Sequence, residues 1–140
     1  SRRVARLALS LRRTYATREE AIDRYRVIPP SERIEAQLLR HIAEHSVRLE
    51  ADGRWGFKFD PRWFTVPPRP APELGQVSAR VLLLRGEESS LLSPEGAAEL
   101  IGELPRAELV NIPGAGHHVL LDQPGRTLAA LTEFLDPTDP

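Results

Sequence analysis

Apolar and polar positions keep different rhythms along the chain, and the last third has the clearest one. Val81 to Arg85 is a short continuous run ended by Gly86, the pattern of a strand buried on both faces. Ser93-Pro94-Glu95 then opens a helix, with Ser93 as N-cap, Pro94 in the first helical position and Glu95 in the first turn. Its inner face is Ala97, Ala98, Leu100, Ile101 and Leu104, and Pro105 stops it. Ala107 to Ile112 reads as a second strand, running into Pro113-Gly114-Ala115-Gly116-His117-His118, too rich in glycine for regular structure. Asp122 is the expected cap of a final helix whose apolar face is Leu128, Leu131, Phe134 and Leu135. Strand, helix, strand, helix in this order implies parallel strands with helical crossovers, with chemistry at the carboxyl ends of the strands. Both loops, Gly86 to Ser93 and Pro113 to His118, belong at that end, where they can face each other.

The first half has a helical rhythm. Val4, Leu7, Ala8 and Leu11 recur at helical spacing among six arginines (Arg2, Arg3, Arg6, Arg12, Arg13 and Arg18) with no acid up to Arg18. No aromatic or glycine-rich binding pattern accompanies that charge, so it reads as a solvated helix, not a nucleic-acid or membrane arm. Thr17-Arg18-Glu19-Glu20 is a capping-box signature opening a helix through Ala21, Ile22, Tyr25 and Arg26, which Pro29-Pro30 ends. Ser31 is expected to cap the next helix, running through Ile34, Leu38, Leu39 and Ile42 towards Val47. Arg48 to Glu50 and Trp55 to Phe59, around Asp52-Gly53, read as a hairpin. Pro67-Pro68-Arg69-Pro70-Ala71-Pro72 is a stiff linker. The expected division is therefore residues 1–70, mainly helical with a small hairpin, and residues 71–140, part of an α/β core. Two parallel strands alone would leave an unpaired edge and apolar faces with nothing to pack on.

Composition narrows this picture. A hydrophobic fraction of 41% and a net charge of −1 argue against disorder and against a polyanionic partner. The absence of Cys removes disulfides, thiol nucleophiles and thiolate metal sites. No apolar run approaches the ~20 residues that cross a bilayer, and no signal-peptide pattern opens the chain, so the default expectation is a cytoplasmic protein without a membrane partner. Lys58 is the only lysine, which beside many Ala, Leu and Pro suggests a GC-rich bacterial source. There is no Met and the chain begins at Ser1. The expectation is a fragment, a processed product or a subunit.

The strongest candidate for chemistry is His117. An imidazole near neutrality can take a proton from a hydroxyl and return it to a leaving group. Gly114-Ala115-Gly116-His117, with His118 and Asp122-Gln123-Pro124 after it, resembles the catalytic-histidine loop after the last strand of the α/β-hydrolase family, and the preceding segment resembles that family's helical cap. The resemblance implies the back half of an α/β-hydrolase fold and a serine–histidine–acid triad acting on a small acyl substrate, with no cofactor or metal. It implies a catalytic acid in the loop Arg85-Gly86-Glu87-Glu88-Ser89-Ser90, where Ser90 stands at the expected aspartate position. Either Glu87 or Glu88 substitutes, or the acid comes from outside the chain, or hydrolytic power is lost; Glu88 is the candidate within the chain. The family's aromatic cap residues shape its pocket, which makes Trp55, Phe57, Trp63 and Phe64 candidates; they equally suit the core of the first module. None of the eight serines, at 1, 10, 31, 46, 78, 89, 90 and 93, lies in a G-x-S-x-G elbow. The nucleophile and oxyanion hole are thus expected in a missing N-terminal half, on the same or a partner chain, and the chain alone should be inactive.

Two other classes compete. The same fold without hydrolytic power would be a binding protein, a reading that Ser90 favours. His41-Ile42-Ala43-Glu44-His45 fits H-x-x-E-H, two histidines one helical turn apart with a glutamate to activate water, as in a zinc peptidase. No downstream motif announces the third ligand such a site needs.

Overall fold

A computed structural model describes residues 13–60 and 72–136. The expected arginine-rich helix up to residue 12, Trp63, Phe64 and most of the proline linker lie outside the described residues. The chain divides into two compact units, residues 1–30 with 36–70 and residues 31–35 with 71–140.

In the first unit, helix α1 spans Arg18–Arg24 and helix α2 spans Ala36–Ser46, followed directly by strand β1, Val47–Leu49, and strand β2, Trp55–Phe57. Thr17 caps α1 as its sequence implies: the Glu20 N–H donates to Thr17 Oγ1 at 3.1 Å, and Glu20 Oε2 accepts from the Ala16 N–H. Strands β1 and β2 pair antiparallel with Val47 opposite Phe57, and Gly53, at φ 79°, turns the chain between them. Ala21, Ile22, Ala43 and Val47 form the buried cluster, flanked by Tyr15, Tyr25, Trp55 and Phe57. Ser31 does not cap α2. The helix begins five residues later, and the Ser31 hydroxyl is used in the second unit.

The second unit holds strand β3 (Val81–Gly86), helix α3 (Pro94–Glu103), strand β4 (Ala107–Ile112), a one-turn helix α4 (Val119–Asp122) and helix α5 (Pro124–Leu135). Strands β3 and β4 are parallel, with Val81 opposite Ala107 and Gly86 opposite Ile112, and α3 and α5 pack against both. Ser93 caps α3, accepting from the Gly96 N–H at 3.1 Å, with Pro94 in the first turn. Two sequence expectations change here. Val81 to Leu84 are only half-buried, because the described sheet has two strands, and Leu128 and Leu135 of α5 are exposed. Asp122 also does not cap the last helix: the chain turns at Gln123, and Asp122 ends α4. Buried Thr127 joins the two helices, its hydroxyl lying within hydrogen-bond reach of the Val119 and Gln123 carbonyls at 3.0 and 2.9 Å.

Candidate active site

The loops that leave β3 and β4 meet at the carboxyl end of the strand pair. Gly86 is the closest point. A Cβ built there would lie 2.6 Å from the Ala115 carbonyl oxygen and 2.8 Å from the Gly116 carbonyl carbon, and closer still to the Gly116 oxygen. Only glycine lets the two backbones approach this far. Main-chain hydrogen bonds then fasten the loops, Glu87 N–H to Ile112 O at 3.1 Å and Glu88 N–H to Ala115 O at 3.0 Å.

Each loop has a buried charged residue as its brace. Arg85 is 6% exposed, and its guanidinium donates to Leu92 O at 2.9 Å, Asn111 Oδ1 at 3.2 Å and Glu87 O at 3.2 Å, tying down both ends of the β3 loop. Asp122, also 6% exposed, accepts from the Gly116 N–H at 2.8 Å and from the Ser31 hydroxyl at 2.6 Å. With Gly114 at φ 69° and Gln123 Nε2 donating to Gly114 O at 3.3 Å, the histidine loop is held from three sides. A buried carboxylate satisfied by a backbone amide and a hydroxyl is a stiff support, since an unmet partner in that setting is costly.

His117 stands exposed at the tip of this loop, beside His118, with ring centroids 5.7 Å apart. Its Nδ1 lies 3.3 Å from Ser89 Oγ. The structure thus brings Ser89 to the imidazole, where the sequence pointed to position 90 and to Glu88. Glu88 instead forms an ion pair and hydrogen bond with Arg33. The signal that could have found Ser89 is local: its hydroxyl accepts from the Leu91 and Leu92 N–H groups, a serine turn that fixes the side chain at the start of the loop.

The other candidate residues are in the first unit. Trp55 and Phe57 lie half-buried on β2 beside its buried cluster, and the Phe57 ring stacks obliquely on Tyr15 and edge-on to Tyr25, at 5.7 and 5.8 Å. His41 and His45 are neighbours on α2, with ring centroids 4.4 Å apart; His45 Nδ1 lies 2.8 Å from the His41 carbonyl oxygen, and Glu44 pairs with Arg40. Among the described residues no group of three His, Cys, Asp or Glu is placed to hold a metal ion, so the third zinc ligand is not among them.

No family model matches the sequence. The chain is 38% identical over 65 residues to a 2-(acetamidomethylene)succinate hydrolase of Mesorhizobium japonicum, across 46% of this chain and 23% of that protein. A crystal structure of an E-2-(acetamidomethylene)succinate hydrolase superposes with a TM-score of 0.70 at 26% identity, covering 95% of this chain and 50% of the other. An esterase from Mycobacterium tuberculosis superposes equally well, TM-score 0.70, at 20% identity over 96% of this chain and 47% of its own. The chain spans about half the length of these solved relatives. Its fold is the C-terminal half of an α/β-hydrolase.

In α/β-hydrolase terms, the loop carrying His117 lies after the second described strand of the parallel pair, and the loop carrying Ser89 lies after the first. The similar proteins are hydrolases and esterases. No described helix is long and apolar enough to cross a membrane.

Proposed function

We propose that this chain contributes the proton-transfer histidine and the helical cap of an esterase-like α/β-hydrolase acting on an ester, thioester or related small acyl substrate. The observation that carries the reading is the placement of His117: an exposed imidazole on a braced loop at the carboxyl end of parallel strands. The nucleophilic serine and the oxyanion hole lie outside this chain, on the same polypeptide or on a partner chain. As that serine's oxygen bonds to the acyl carbon, His117 takes the hydroxyl proton, then passes it to the leaving group as the acyl bond breaks. Trp55, Phe57, Trp63 and Phe64 keep, in this reading, the substrate-pocket role that the family resemblance gives the aromatic residues of the cap. No cofactor enters the reaction, no nucleic acid or membrane is a partner, and the working compartment is the cytoplasm.

The test is hydrolysis of an activated ester by the whole protein. His117→Ala is expected to cut kcat by about 10²–10⁴-fold with the unfolding midpoint unchanged; retention of more than a few per cent of activity would refute the assignment. Glu88→Gln is expected to cost far less, and equal losses would return Glu88 to the role of the acid. A second reading, a binding protein on the same fold, is favoured by one observation: the group at His117 Nδ1 is a hydroxyl and not a carboxylate. Labelling of the whole protein by a serine-reactive fluorophosphonate separates the two, since only the hydrolase has an activated serine.

A further inference from the structure

The geometry points to Ser89 as the residue that fixes the protonation form of His117, holding the neutral imidazole with its proton on the outward nitrogen, Nε2. This rests on the hydrolase reading only for its consequence in catalysis; the hydrogen bonds stand by themselves. Ser89 Oγ accepts from the Leu91 N–H at 3.4 Å and from the Leu92 N–H at 3.2 Å, and lies 3.3 Å from His117 Nδ1. A hydroxyl has two acceptor lone pairs and one hydrogen. The two amides occupy the lone pairs, so the hydrogen is what remains for the imidazole. Ser89 donates, Nδ1 accepts, and a neutral ring that accepts at Nδ1 carries its proton on Nε2. The arrangement is held in place, because Arg85 grips the same turn at the Glu87 and Leu92 carbonyls.

The consequence is a brake on base catalysis. To take a proton from a nucleophile, Nε2 must present a lone pair, and here it presents a hydrogen. The ring proton must first move to Nδ1, and Ser89 must then accept from Nδ1 at the expense of a backbone amide. A carboxylate has no hydrogen to donate and favours the base-competent form from the start. Ser89 is thus a positioning residue: it makes the resting site a hydrogen-bond donor towards a carbonyl or anionic group.

The experiment is ¹⁵N spectroscopy of the whole protein labelled at histidine, at a pH where the imidazoles are neutral, with His117→Gln identifying the signals. In the wild type the His117 proton is expected on Nε2. Ser89→Ala should give a mixture of both forms, Ser89→Thr should restore the wild-type pattern, and Ser89→Asp should move the proton to Nδ1. In parallel, Ser89→Asp should raise kcat for an activated ester by at least about tenfold with little change in KM, within the ~10⁴-fold span that a wrong tautomer can cost a triad. A wild-type proton on Nδ1 would overturn the inference, since a carboxylate from elsewhere would then hold that nitrogen. Populations indifferent to Ser89→Ala and Ser89→Asp would overturn it as well. The expected ¹⁵N patterns without turnover in any variant would refute the hydrolase reading and leave the role of Ser89 standing.

Discussion

Gly86→Ala puts a methyl group into the narrowest gap between the two loops that build the site. The new Cβ would lie 2.6 Å from the Ala115 oxygen and closer still to the Gly116 oxygen, where ordinary contact begins at 3.4 Å, so the loops must part by at least about 0.8 Å. The atoms in the way are backbone, which cannot swing aside as a flexible side chain would. A shift of that size lengthens the Glu88 N–H to Ala115 O bond, now 3.0 Å, and its neighbour from Glu87 to Ile112, now 3.1 Å, beyond useful range. Two backbone hydrogen bonds contribute about 1 kcal/mol each. Overpacking adds about 1–3 kcal/mol, so the expected loss is about 3–5 kcal/mol. Urea unfolding of the protein measures it: with a slope of about 1–3 kcal/mol/M, the midpoint should fall by roughly 2 M. Gly102→Ala is the control, because a Cβ there meets nothing within 4 Å and the residue is helical; it should stabilise by a few tenths to about 1 kcal/mol. A Gly86→Ala midpoint within experimental error of the wild type would refute the close approach, and with it the juxtaposition of Ser89 and His117.

Asp122→Ala should destabilise by about 2–4 kcal/mol, since it strands the Gly116 amide and the Ser31 hydroxyl. Asp122→Asn should cost clearly less, because its oxygen can still accept from Gly116 while its amide donates to Ser31; equal losses in thermal unfolding would contradict this account. Glu95 has its carboxyl held below the ordinary glutamate range by its own backbone N–H first, then by the Ser93 hydroxyl and the charge of Arg85. A depressed folded-state pKa contributes stability above the unfolded value that is lost as pH falls through the folded one. The stability gap between wild type and Glu95→Gln should therefore close on acidification below the ordinary glutamate range, and a gap that stayed constant in urea titrations at neutral and acid pH would contradict it.

Where a local rule alone decides an outcome, the sequence was enough. Thr17 and Ser93 cap their helices because a side-chain oxygen next to unpaired amides needs nothing distant. The continuous apolar run before Gly86, the second strand and the glycine-rich turn before His117 likewise follow from short-range pattern, and with them the parallel pair of a C-terminal α/β-hydrolase half. Ser31 and Asp122 have the same capping chemistry, yet neither caps a helix, because each has a better partner 91 residues away, the other. Contacts of that separation leave no periodicity to read. The register of two loops also decides which residue reaches the imidazole. Ser89 and Ser90 are alike as residue types; the local turn fixes the Ser89 hydroxyl, and the close approach of the opposing backbone at Gly86 brings the histidine loop to it, so that Ser89 meets Nδ1 while Glu88 pairs with Arg33. The residue types of the site were legible along the chain; their pairing was set by backbones meeting at a glycine, a property of the folded loops alone.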